Sequence, residues 1–159
     1  MKFARNPYEY RRNLPHITKA DRAHFITFNS WDRWELPLAC RDLALDAFKF
    51  HDGAKYDLFA LVVMPEHVHA ILTPLRDEAG DPLTTAQILH SLKSFTANRI
   101  HEHCPERRRV WQDESLDHVI RHEESLEDKI EYIRMNPVRR GLVKEPREYR
   151  WLYIKQFDR

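Results

Sequence analysis

Glycine is scarce in this 159-residue chain. Gly53, Gly80 and Gly141 are the only three and lie far apart, which excludes a GxGxxG fingerprint or a P-loop. Cysteine is scarcer still. Cys40 and Cys104 have no CxxC spacing and give no disulfide framework, which suits a reducing cytoplasm. No apolar run approaches the roughly 18 residues that cross a bilayer, and the start, Met1 to Pro7, has no apolar signal-peptide core. The expectation is a cytoplasmic protein with no membrane attachment. With 42% hydrophobic and 32% charged residues, the chain has the composition of a soluble globular domain able to bury one core.

Net charge is also small, +1, but it is unevenly spread. Residues 1–22 hold six Lys/Arg against two acids and residues 137–159 hold seven against three, so the middle is acidic. A nearly neutral chain presents a basic surface if both ends fold onto one face; otherwise the ends are solvated tails. The division expected is a basic N-terminal segment (1–22), a domain (23–143) and a basic C-terminal segment packing on it (144–159).

Residues 23–29 are β-branched and aromatic and read as a strand ending at Asn29-Ser30. Residues 37–50 have a loose helical period stopped by Asp52-Gly53. Tyr56 to Met64 is a nearly continuous apolar run, the pattern of a strand buried on both faces, and after Pro65-Glu66 the segment His67 to Thr73 resumes as a hairpin partner. Thr84 to His101 reads as a helix with Ile88, Leu89, Leu92 and Phe95 inward; a short strand at 115–120 and a helix at 122–135 follow. The order β-α-β-β-α-β plus one helix predicts an α+β, ferredoxin-like split β-α-β antiparallel sheet, with helices on one face and an additional C-terminal helix.

Of ten histidines, two pairs are spaced His-x-His. On a strand, His67 and His69 share a face while Val68 turns to the other, so the two rings converge. On a helix, His101 and His103 diverge by about 200°. Two half-exposed strand histidines carry the same signature as two metal ligands, and a third ligand is open to any Asp, Glu, Asn, Gln or His. In the last helix, Tyr132 and Asn136 stand one turn apart on one face, beside the apolar Ile130 and Ile133. Pro137 is expected to end the helix at Asn136.

The segment Met64-Pro65-Glu66-His67-Val68-His69, followed by Tyr132-Ile133-Arg134-Met135-Asn136-Pro137-Val138-Arg139-Arg140-Gly141-Leu142-Val143, resembles the REP-associated tyrosine transposases, single-tyrosine members of the HUH endonuclease superfamily. Val110-Trp111-Gln112 and Asp117-His118-Val119-Ile120-Arg121 fall between them in that family's order, so the likeness runs from about Phe25 to Val143. The resemblance implies a nuclease that cuts and rejoins single-stranded DNA beside palindromic hairpins. It implies His67 and His69 as metal ligands, Tyr132 as nucleophile on the C-terminal helix, and Asn136 where related enzymes often place Gln.

A phenol ionises only near pH 10 and is a poor nucleophile at neutral pH, so a cation on the scissile phosphate is needed. Two imidazoles and an amide suit an open site, with Mg²⁺ or Mn²⁺ the expected ion. No general base is evident, since strand alternation turns Glu66 away from His67. DNA contacts are expected from Arg139, Arg140 and Lys144, from Arg11 and Arg12, from His118 and Arg121, and from Trp111, which either stacks on a base or packs as a core tryptophan under the sheet. The partner is single-stranded or hairpin DNA, and the protein a monomer or homodimer. Two rival classes are a hairpin-binding protein without cleavage and a zinc hydrolase; the second lacks an HExxH-like carboxylate.

Overall fold

A fully buried hairpin organises the molecule. In the computed structural model, which describes residues 22–121 and 123–156, strand β2 (Tyr56–Val63) and strand β3 (His67–Pro74) pair antiparallel around the turn at Pro65-Glu66. Strand β1 (His24–Asn29) pairs with the other side of β3, strand β4 (Leu116–Val119) with β1, and strand β5 (Leu152–Ile154) with β2. The order is β4-β1-β3-β2-β5, all antiparallel neighbours. The first four strands have the ferredoxin-like arrangement expected.

Both faces of the sheet are covered, because alternate side chains of the central strands feed two cores. Leu61, Val63, Val68, Ala70 and Leu72 face helix α1 (Leu38–Phe50) and helix α2 (Thr85–His103). Ala60, Val62 and Ile71 face helix α3 (Glu123–Arg139), which contributes Leu126 and Ile133. A register shift between Leu58 and Ala60 turns Phe59 into the second core as well. Helix α2 opens on a capping box in which the Thr84 hydroxyl accepts from the Gln87 amide and the Gln87 side chain accepts from the Thr84 amide. Its buried stripe runs Ile88, Leu89, Leu92, Thr96, Ile100. Phe95, expected inward, is instead 51% exposed. The place beneath that turn is taken by the Trp111 indole, whose N–H donates to the Thr96 hydroxyl (2.8 Å).

The end of α3 also departs from expectation. The helix passes through Pro137 to Arg139. Pro137 forfeits one amide donor, yet the Arg140 amide still reaches the Asn136 carbonyl (3.0 Å). Termination comes at Gly141, in the left-handed region (φ 71°), with its amide on the Val138 carbonyl and the Leu142 amide on the Pro137 carbonyl. That is a Schellman stop with glycine after the cap. No described helix is long and apolar enough to cross a membrane.

Ile133 is fully buried between α3 and the sheet. Ile133→Ala should lower unfolding free energy by about 2–4 kcal/mol, measured by urea denaturation.

Candidate active site

The antiparallel register of β1 and β3 builds the site floor. It sets Thr27 opposite His69, Asn29 opposite His67 and Phe25 opposite Ile71, all on the α3 face. The His67 and His69 rings lie 4.6 Å apart between centroids and both are buried. A buried imidazole needs partners, and each has one at Nδ1. His69 Nδ1 stands 2.7 Å from Thr27 Oγ1, and His67 Nδ1 is 3.0 Å from Glu66 Oε1. When those Nδ1–H groups donate, each Nε2 keeps its lone pair, the arrangement by which a neighbouring acceptor sets a metal-binding histidine. Burial pushes His69 down to about 3, with the His67, Arg139 and Lys129 charges adding to it. Burial also lowers His67, against the opposing pull of Glu66. Neutral rings are the form that ligates a cation.

Glu66 does not turn away, as strand alternation had suggested. It lies in the β2–β3 turn, not on the pleat, and its carboxylate accepts from Arg140 (2.6 and 3.3 Å) as well as from His67. Burial opposes its charge, but these two donors outweigh it and hold the carboxyl below its ordinary range.

Helix α3 closes the site from above. The Tyr132 ring is edge-on to His69 (5.6 Å) and to Phe25 (6.0 Å), and the residue is 43% exposed. The Arg139 guanidinium lies over the Tyr132 ring (4.3 Å) and donates to the Tyr132 carbonyl (2.6 Å). Lys129, one turn earlier, lies over Phe25 (5.0 Å). Asn136 is one turn from Tyr132 and one from Arg140, between the helix's contacts with His69 and Glu66, and is 5% exposed. Among the described residues no three His, Cys, Asp or Glu side chains gather as a metal site. The donors that the resemblance implies are these two imidazoles and the Asn136 amide. That donor set, two nitrogens and one oxygen, fits a divalent ion with open positions.

The remaining expected contacts are placed unequally. His118 is paired opposite Phe25 and so shares the site's face of the sheet, and it is exposed; Arg121 and Lys144 are exposed too. Arg147 is paired with Glu145 and Arg150 with Asp42 on α1. Arg11 and Arg12 lie outside the described residues. Trp111 is corrected: it is 7% exposed, packed edge-on to Phe28 (5.0 Å), with its N–H spent on Thr96, which makes it a core residue and not a base-stacking one. Thr27, Phe25 and Lys129 were not singled out from sequence. Thr27 and Phe25 had a signal only once the β1–β3 register was known; Lys129 had one in its spacing to Tyr132.

No protein-family model matches the chain. A REP-associated tyrosine transposase of Escherichia coli (strain K12) is 31% identical over 90 residues, which cover 57% of this chain and 49% of that protein. The chain resembles the REP-associated tyrosine transposases. The match takes in about half of the relative's length. The solved structure of such a transposase bound to a REP hairpin shares the fold, with a TM-score of 0.67 over 88% of this chain and 81% of that one at 23% identity.

Thr27→Val removes the partner of a buried His69 nitrogen. It should cost about 1–2 kcal/mol of stability in denaturant titration, whereas Thr27→Ser should cost less.

Proposed function

We propose that the chain is a metal-dependent single-stranded DNA endonuclease and strand transferase that cuts beside palindromic hairpins and rejoins the ends. The observation that supports this reading most is the setting of Tyr132: a partly exposed phenol on a packed helix, edge-on to one of two histidines whose Nδ1 atoms are both engaged. The similar proteins are tyrosine transposases, one of them held with a REP hairpin.

In this reading His67, His69 and Asn136 would hold Mg²⁺ or Mn²⁺, which when bound would supply Lewis-acid stabilisation of the scissile phosphate. Tyr132 supplies the nucleophile. Its Oη–P bond forms as the P–O3′ bond breaks, the phenol releases its proton, and the leaving oxygen takes one up. The products are a 5′-phosphotyrosine and a free 3′-hydroxyl. Because the bond energy is kept on the enzyme, a 3′-hydroxyl of another strand can attack that phosphorus and release the phenol. Arg139 and Lys129 set positive charge on either side of the phenol where a phosphate would enter. Arg140 acts at one remove, holding Glu66 against His67. The exposed Lys144, His118 and Arg121 take the DNA backbone; Arg11 and Arg12 are assigned the same task. Residues 23–143 are assigned as the nuclease domain, 1–22 as a basic N-terminal segment, and 144–159 as a basic segment packing on the domain, where β5 joins the sheet. In this reading Tyr132 serves the histidines of its own chain, one of which, His69, its ring meets edge-on at 5.6 Å.

An oligonucleotide carrying a hairpin and a single-stranded flank should form a covalent adduct in Mg²⁺ or Mn²⁺, seen as a gel shift that survives denaturant. Tyr132→Phe should form none. An adduct in that variant would overturn the assignment, and salt-sensitive hairpin binding with no adduct in either metal would leave a binding protein in its place. Glu66→Gln should weaken Mn²⁺ binding by about 10- to 100-fold in calorimetry, because the acceptor that sets His67 loses its charge.

A further inference from the structure

Beyond the end of β1 the backbone does something costly. Asp32 and Arg33 both have positive φ (55° and 54°), a conformation that non-glycine residues adopt rarely and seldom in succession. The turn is tied down on every side. The Ser30 hydroxyl donates to the Trp34 carbonyl (2.7 Å) and the Glu66 carbonyl (3.1 Å), Arg107 donates to the Trp31 carbonyl (2.6 Å), and Arg33 donates to the Asn29 side chain (2.7 Å). What this arrangement presents is an exposed indole. Trp31 is 37% exposed, with the Arg109 guanidinium over its ring at 4.3 Å, and Arg107 lies over the Trp34 ring at 4.7 Å. Trp31 and Arg107 to Arg109, with Glu106, line a cleft of about 650 Å³.

The cleft is joined to the proposed catalytic residues. Asn29 pairs opposite His67, and Arg33 reaches both Asn29 and, at 3.8 Å, the Glu66 carboxylate. We propose that this cleft is a second DNA subsite, which takes the unpaired flank of the substrate by stacking a base on the Trp31–Arg109 pair and holding its phosphates with Arg108 and Arg33. The chemistry suits a single strand. An indole and guanidinium planes offer flat surfaces to any base, and Arg107, Arg108 and Arg109 line the cleft against one carboxylate, Glu106. A double helix keeps its bases stacked on one another and offers none to the indole. The identification of DNA as ligand rests on the function proposed above; the subsite itself needs no cleavage.

The test is therefore binding alone, with the full chain in the Tyr132→Phe background and EDTA present. Fluorescence anisotropy compares a hairpin bearing a flank of about eight unpaired nucleotides, within the usual site sizes, with the same hairpin lacking it. Trp31→Ala should weaken the flanked oligonucleotide on the order of tenfold and leave the flankless hairpin unchanged. Arg108→Glu, a change at an exposed side chain, should do the same and stands as the second variant if Trp31→Ala fails to fold. Equal affinity of both variants and the parent for the flanked oligonucleotide overturns the proposal, as does loss of the flankless hairpin in equal measure. Failure of the active-site reading is distinguishable: there, the Tyr132 protein makes no adduct while the flank still contributes to binding. An adduct with no flank dependence removes this proposal alone.

Discussion

Burying a polar ring obliges the fold to give it a partner, and the site depends on that obligation being met twice on one strand. Strand β3 is buried along its whole length, so its pleat sends Val68 into one core and His67 and His69 against the other. Two imidazoles sheltered from water are costly unless each nitrogen turned toward protein is bonded. Thr27 and Glu66 meet that need. In doing so they fix the ring planes, and the nitrogens left over are the ones beneath Tyr132's helix. Orientation of the site is a by-product of satisfying the core.

Glu66 carries the connection further. One carboxylate in a hairpin turn binds a histidine of the next strand and an arginine past the end of the last helix, across 74 residues of sequence. The alternation of β3 alone would have left His67 unanchored, and α3 alone would have left its C-terminal arginine free. With the Glu66 side chain only 13% exposed and both donors charged or polar, the turn, the strand and the helix end are held in one cluster.

Much of this was legible in the residues. The unbroken apolar run of β2, the alternation through His67-Val68-His69 and the four-residue step from Tyr132 to Asn136 are local periodicities, and each appears in the structure as read. What was illegible depended on partners distant in sequence. Thr27 faces His69 only through the β1–β3 register, which no local pattern sets. Glu66 looked like a strand residue because it adjoins one, but Pro65 places it in the turn. Trp111 reads locally as either a stacking aromatic or a core residue, and Thr96, fifteen residues away, decides for the core by taking its N–H. At Pro137 the expected stop does not occur, because proline removes one bond whereas the left-handed cap at Gly141 satisfies two carbonyls.

That last outcome bears on mechanics. Had the helix ended at Asn136, the two arginines after it would have sat on a loop whose motion was independent of the phenol. Since the helix continues to Arg139, Tyr132, Asn136 and Arg139 share one element seated through Leu126 and Ile133. The phenol beside His69 and the guanidinium on Glu66 are therefore positioned against the sheet by the same run of chain, one at its middle and one just past its end.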